Sequence, residues 1–256
     1  MNEIKNETIE LLLSHSSCRS FLDKHVPENV ADVIIKCAQR APTSSYLQAY
    51  TIIRVEDKEK KKALAEFAGG QEWVEKAGLA LLFCADLHRL DVMLDIADKN
   101  VLHNAELYTV AVTDAALASS RALAAAQAMG LGGVFVGGVR NETEKMAELF
   151  NLPELVFPMY VVCMGYPADV PPQRPRMDKS LISAVDGYPD ITGPEQLAGY
   201  EKEVSEYFMN ITNGRSGRGW IARAEHAISV KPRYSVGEFL HKVGFMTADE
   251  PAEKSE

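Results

Sequence analysis

Small and apolar positions crowd most densely at 110–129, where only Thr113, Asp114, Ser119, Ser120, Arg121 and Gln127 interrupt them. A helix of this composition presents apolar surface over most of its circumference, so it is expected to be buried nearly all round as the central post of the fold. Gly130 follows, where a residue with positive φ ends the helix. Val134, Phe135 and Val136 then form a short buried strand between Gly132-Gly133 and Gly137-Gly138. Glycine on both sides of a strand lets a flat group approach the backbone, although capping a helix and thinning a strand would account for the same residues.

Two further apolar runs, 79–85 and 157–164, have strand length and predict strands buried on both faces; a third strand is predicted at 50–55. Helical spacing appears elsewhere. Asn6 caps a first helix carrying Ile9, Leu12 and Leu13, and Pro27 opens a second with Val30, Val33, Ile34, Cys37 and Ala38 on one face. Asp57 caps KEKKKALAEFA, whose lysines form a solvated face. Asn141-Glu142-Thr143-Glu144 reads as a capping box, and Ser235-x-x-Glu238 as the cap of a final short helix. Residues 194–210 place Leu197, Tyr200, Val204, Tyr207 and Phe208 on one stripe. By contrast, 86–104 is charged and weakly periodic, and reads as a mobile cover or specificity segment with His88 and His103 at the surface.

Composition narrows the class. With 256 residues, 46% of them hydrophobic, the chain can bury a substantial core, and its net charge of -9 argues against nucleic acid or anionic lipid as the main partner. Residues 122–139 carry no charge, but five glycines fall from position 130 onward and Asp114 and Arg121 lie before them, so a membrane span is rejected. The start, MNEIKNETIE, lacks the apolar stretch of a signal peptide, and Cys18, Cys37, Cys84 and Cys163 show no C-x-x-C pairing; a cytoplasmic protein is expected. Without H-E-x-x-H or comparable ligand spacing, no metal site is expected. The glycines at 130–138 follow a helix and precede a strand, the reverse of the dinucleotide fingerprint.

Polar stretches carry the candidate chemistry. His15-Ser16-Ser17-Cys18-Arg19-Ser20-Phe21 gathers an imidazole, hydroxyls and a guanidinium at a helix end, which suits an anion, the polar edge of a heterocycle, or a solvated loop. Thr43-Ser44-Ser45-Tyr46-Leu47-Gln48 is a polar loop entering a strand. Arg174-Pro175-Arg176 is a stiffened cationic pair for an anion, or a basic surface loop. The last third has no second glycine-rich strand system and ends its striped helix in the basic glycine loop 213–219. It reads as an extension packed on the first part or on a partner chain.

Taken together, His15-x-Ser17-x-Arg19, the Thr43-to-Gln48 loop, Gly69-Gly70-Gln71, GLGGVFVGG and Arg174-Pro175-Arg176 resemble, in order and spacing, the FMN-dependent oxygen-insensitive NAD(P)H nitroreductase and flavin reductase family, in its longer-chain NADPH-type branch. The resemblance runs from about Ile9 to Gly244. It implies an α+β fold with a mixed central β-sheet flanked by helices. A single domain would span 1–256, with a core of about 1–180, a C-terminal extension of about 181–246 wrapping the dimer partner, and a polar tail at 247–256. An obligate homodimer with two FMN sites at its interface is also implied.

Carried onto this chain, the resemblance makes His15, Ser17, Arg174 and Arg176, with Ser16 beside them, look like the FMN phosphate site. Arg19 would lie by the N1/O2 edge of the ring, where a fixed cation stabilises the negative charge of reduced flavin. Gln71 would contact the polar edge, and Ser44 and Ser45 would reach it from the other subunit. The backbone of Val136, Gly137 and Gly138 would lie against the ring, the glycines leaving room for the cofactor. NADPH or NADH would stack on the exposed flavin face and pass hydride to N5 in a ping-pong cycle, with nitroaromatics, quinones or free flavins as acceptors and no protein nucleophile. Two positions depart from the pattern: Ser16 stands where a basic residue is usual, and Ile211 where the family has an arginine holding NADPH phosphates. Arg215 and Arg218 are candidates to replace that arginine. Two alternatives stay open: a specialised member, such as a dehalogenase, using 86–104 as a lid, and a protein that stores or senses FMN without turnover.

Overall fold

The computed structural model describes residues 4–230 and 232–248, so the first three residues and the end of the polar tail lie outside the described residues. The chain divides into two compact units, Met1–Pro171 with Arg233–Glu256, and Pro172–Pro232.

The first unit is built on four strands, β1 (Tyr50–Arg54), β2 (Leu79–Asp86), β3 (Gly132–Val136) and β4 (Val156–Gly165), in the order β1-β2-β4-β3. Every pairing among the described strands is antiparallel, with Ile52 opposite Phe83, Leu82 opposite Val161 and Phe135 opposite Val162. This corrects the expected mixed sheet. Continuous apolar runs signal burial on both faces, and helices deliver that burial to an antiparallel sheet as readily as to a parallel one. Side chains alternate along β2: Leu79, Leu81, Phe83 and Ala85 join one core, while Ala80, Leu82 and Cys84 join another on the opposite face.

Helix α1 (Glu7–Leu13) starts as expected, with the Ile9 amide donating to Asn6 Oδ1 at 2.9 Å, but it buries none of its residues. Helix α2 (Glu28–Gln39) follows Pro27 and buries Ala31, Ile34 and Ala38. Helix α3 (Lys58–Phe67) is capped by Asp57, which accepts from the Lys60 amide at 2.8 Å, and α4 (Glu72–Lys76) leads into β2. Segment 86–104 folds into α5 (His88–Met93) and a short turn, Lys99–His103, anchored by buried Leu87 and Leu102. His103 is not the surface histidine expected: it is half-buried, with Nδ1 2.6 Å from the Gly244 carbonyl oxygen.

The long helix α6 (Ala105–Ala128) packs Ala111, Ala115, Ala118, Ala122 and Ala126 into the core with no exposure. It is not buried all round. Thr113, Ala116, Leu117, Ser120, Arg121 and Ala128 form an exposed stripe at helical spacing, with Leu117 39% exposed, because α2 and the sheet cover only the alanine face. Gly130 takes the expected positive φ, 78°. Helix α7 (Thr143–Phe150) lies where expected but without its capping box: Glu142 occupies the cap position without a side-chain capping bond, and Asn141 Oδ1 instead accepts from Arg233 Nε at 2.8 Å.

In the second unit, α8 (Ala198–Ile211) and α9 (Trp220–Ser229) form a hairpin. Ser205 Oγ donates to the Gly217 carbonyl at 2.7 Å, Glu201 Oε1 accepts from the Ile221 amide at 2.6 Å, and Val204 is buried. Back in the first unit, α10 (Ser235–Lys242) closes the described chain; Tyr234, not Ser235, holds its cap position, since Ser235 is already helical.

Candidate functional site

Residues 15–19 form an irregular segment beside β3, the Cys18 amide donating to the Gly133 carbonyl at 3.0 Å. Cys18 is the peg of this segment. It is 2% exposed, and a Cβ at Gly132 would lie 2.7 Å from Cys18 Cβ. Burial pushes its thiol up from the ordinary value. On either side of buried Cys18, Ser17 is half-buried and Arg19 is exposed. Arg19 reaches the Trp73 ring at 5.9 Å, and His15 Nδ1 lies 3.1 Å from Gln127 Nε2 at the end of α6. Ser16 is half-buried between them.

Gly69 and Gly70, at φ 90° and 75°, turn the chain after α3 and present Gln71, whose Nε2 donates to the Ala68 carbonyl at 2.6 Å. The Gln71 amide oxygen is thereby oriented as an acceptor. Val136 and Gly138 are buried and Gly137 is half-buried. The glycines are demanded first by the protein itself. A Cβ at Gly138 would run into the Ala68 carbonyl oxygen and lie 2.6 Å from Gln71 Nε2, one at Gly133 would lie 2.6 Å from Leu123 Cδ1, and one at Gly137 2.8 Å from Arg140 Nη2. Room for a cofactor is therefore not their sole reason. These contacts bring segments 15–19, 71–73 and 132–138 together.

Ser44 and Ser45 sit elsewhere in the unit, and no hydrogen bond among the described residues joins them to those three segments. Their loop is unusual, with Ser45, Tyr46 and Gln48 all at positive φ (48°, 59° and 53°). Two residues that sequence reasoning missed hold it. Asp114, fully buried on α6, accepts from the Ser44 and Ala49 amides at 3.0 Å each. Arg89 donates to the Gln48 and Tyr50 carbonyls at 3.2 and 3.0 Å and to Thr51 Oγ1 at 2.7 Å, beside Asp86. A carboxylate in an otherwise small, apolar helix was the available signal for Asp114.

The second unit gathers Arg174 and Arg176 with Arg223, also unforeseen, around a cavity of about 360 Å³ lined by Tyr200, Phe208 and Trp220. The Arg223 guanidinium lies 3.2 Å from the Phe208 ring centre and Arg174 5.8 Å from it. Burial, then the charges of Arg218 and Arg174, hold Arg223 below its usual value. Arg176 Nη1 folds back onto the Arg174 carbonyl at 3.1 Å, and Arg215 Nε onto the Thr212 carbonyl at 3.0 Å, while Ile211 is 41% exposed. Arg218 gives its carbonyl to Arg223 Nε at 2.9 Å.

FMN presents a phosphate dianion and a planar ring with a donor and acceptor edge. An imidazole, two hydroxyls, a guanidinium and an oriented amide beside side-chain-free backbone match that donor set. Among the described residues no helix is long and apolar enough to cross a membrane, and no group of three or more His, Cys, Asp or Glu is placed to hold a metal ion.

An α+β unit of this kind, followed by an arginine-bearing helical hairpin, defines a recognisable class. The Nitroreductase family model matches residues 12–166 and the model of that family's C-terminal domain matches 174–248; the chain belongs to the nitroreductase family. It is 37% identical to an FMN reductase (NADPH) of Bacillus subtilis over 245 residues, 94% of this chain and 98% of the relative. It is 35% identical to an oxygen-insensitive NADPH nitroreductase of Salmonella typhimurium over 240 residues, 94% of this chain and 98% of the relative. Among solved structures, the NfrA1 nitroreductase from B. subtilis superposes with a TM-score of 0.91 at 36% identity, covering 94% of this chain and 99% of that one.

Proposed function

We propose that this nitroreductase-family protein is an FMN-dependent NAD(P)H oxidoreductase that reduces nitroaromatics, quinones or free flavins. The observation that carries the reading is the convergence of segments 15–19, 71–73 and 132–138 on one place in the first unit, in a chain whose relatives are named FMN reductase and NADPH nitroreductase. Bound there, FMN would supply two-electron chemistry, taking hydride at N5 from the nicotinamide and yielding it to a second substrate in the same space.

The residues divide the work. His15, Ser16 and Ser17 donate to the phosphate, and in the second unit Arg174 and Arg176 are donors for an anion. Arg19, a cation at every working pH, stabilises negative charge at the ring edge. Gln71 fixes the orientation of the ring through its amide oxygen, and the backbone of Val136, Gly137 and Gly138 lies against it. With no acid or base needed from the protein, substrate breadth follows from an open shared site. Arg215 and Arg218 take the donor's phosphates in place of the arginine that Ile211 replaces.

A homodimer fits the exposed surface. Leu12, Val33 and Leu117 are 60%, 44% and 39% exposed. A groove of about 1140 Å³ runs between α1, α2 and α6, with Leu12, Val33, Tyr46 and Ala128 on its walls. A second copy seated there would bury this apolar face and bring the Ser44–Ser45 loop to its neighbour's site. The C-terminal extension embraces that partner. Four free cysteines suit a reducing, cytoplasmic setting.

Anaerobic stopped-flow mixing of the FMN-loaded protein with NADPH or NADH tests the reading. Bleaching of the flavin absorbance is expected; a yellow protein that neither donor bleaches would be a flavin-binding protein without turnover.

A further inference from the structure

Arg140 follows β3 in the short turn Gly137–Asn141. Its guanidinium packs against Gly137: a Cβ there would meet Nη2 at 2.8 Å, Nη1 at 3.2 Å and Cζ at 3.3 Å. The side chain is half-buried and donates to the Met159 carbonyl of β4. Burial pulls its basicity below the usual arginine value, and the charged or titratable groups that bear on it are Arg233, Tyr108 and Tyr160, none of them an anion at neutral pH. Tyr160 is itself engaged with Ser119, 2.9 Å away. Among the described residues no carboxylate pairs with Arg140.

A partly desolvated guanidinium with no counter-charge is unfavourable for folding, and chains keep such a group where function uses its field. Arginine cannot shed the charge. The peptide it packs against is the one assigned above to the flavin ring, and the negative charge absent from the protein is the charge that reduced flavin acquires. We propose that Arg140 is a second fixed cation of the flavin site, acting from its place against Gly137 to favour the reduced cofactor over the oxidised one. The inference rests on the FMN reading, and it deepens that reading by giving the glycine turn an electrostatic role distinct from that of Arg19 at the ring edge.

The test compares wild type, Arg140→Gln and Arg140→Lys, each loaded with FMN, by spectroelectrochemical titration. FMN titration of the apoproteins and thermal melts accompany it. Arg140→Gln is expected to bind oxidised FMN as wild type does, yet to bind the reduced form about tenfold more weakly relative to it. That ratio is a fall of about 30 mV for a two-electron couple. Arg140→Lys, which keeps a charge, is expected to recover most of the difference. Equal potentials in wild type and Arg140→Gln would overturn the proposal and leave Arg140 as a strap on the Met159 carbonyl. Equal falls in the Gln and Lys variants would do the same, since lost geometry and not lost charge would then be responsible. If Arg140→Gln does not fold, Arg140→Met removes the charge with similar bulk and is read in the same way. Wild type that takes up no FMN would overturn the FMN reading along with this one, whereas an unchanged potential overturns this one alone.

Discussion

The Asp114 carboxylate and the Ala49 amide are joined by a 3.0 Å hydrogen bond, and the other carboxylate oxygen takes the Ser44 amide at the same distance. One fully buried side chain on α6 therefore holds both ends of a loop in which three non-glycine residues keep positive φ. Such conformations persist only where surrounding structure over-determines them, at a cost of about 1–3 kcal/mol each. Asp114→Asn presents an amide whose NH2 faces an amide donor. It is expected to lower stability by about 1–3 kcal/mol and to speed hydrogen exchange at Ser44 and Ala49. Unchanged urea midpoints and exchange would show that the loop holds itself.

Gly138 separates two explanations of one residue. If packing against Ala68 and Gln71 demands the glycine, Gly138→Ala destabilises the apoprotein by about 1–3 kcal/mol with no flavin present. If only cofactor space demands it, the apoprotein melts like wild type and FMN binding alone suffers. Calorimetry of the flavin-free protein decides, and the geometry predicts the first outcome.

The apolar groove between α1, α2 and α6 predicts how association responds to charge. Val33, 44% exposed on its wall, tolerates glutamate in an isolated protomer. Val33→Glu is expected to weaken a homodimer at least about tenfold, roughly 1.4 kcal/mol, by burying an unpaired carboxylate. Sedimentation velocity across a dilution series reads this directly. A variant that stays dimeric at wild-type concentrations would place the interface elsewhere.

The proposed role of Arg215 in donor preference can be tested directly. Arg215→Ala is expected to raise KM for NADPH more than for NADH, because an extra phosphate is what a guanidinium there would recognise. Equal effects on the two donors would remove Arg215 from that role and turn attention to Arg218 and Arg223.

Stability should fall in alkali, and the sign can be worked out. Burial pushes the Cys163 thiol up to about 12 and raises Cys84 as well. An unfolded thiol titrates near about 8.5. Between those values the unfolded chain has released a proton that the folded chain keeps, so stability is full below the lower value and is lost as pH rises toward the upper one, by up to about 1.4 kcal/mol per pH unit for each thiol. Lys61, held below its usual value by burial, opposes this by favouring the folded state as pH rises. Urea midpoints of wild type and Cys163→Ala from pH 8 to 10.5 isolate the thiol, and the variant is expected to show the shallower decline.

The sequence by itself determined the strands, most of the longer helices and the family, but not α4, α5 or α9. Periodicity located β2, β4, α2 and α6, because the spacing of apolar side chains is a local property that survives in any fold burying that face. Asn6, Asp57 and Gly130 act as the helix stop and start signals they resemble, since each works on neighbours three or four residues away or on its own φ. Short-range signals failed where a longer-range partner won: Asn141 turned to Arg233 instead of capping α7. What only the tertiary structure decided are the relationships between distant positions. Cys18 pegs the segment carrying Ser17 and Arg19 against Gly132, Asp114 holds Ala49 from 65 positions away, His103 meets Gly244 across 141, and Arg140 fills the space a side chain at 137 would take. Buried polar groups must find partners wherever the packed chain brings them, and a pattern of hydrophobic spacing says which residues go inside without saying which polar atom will be waiting there.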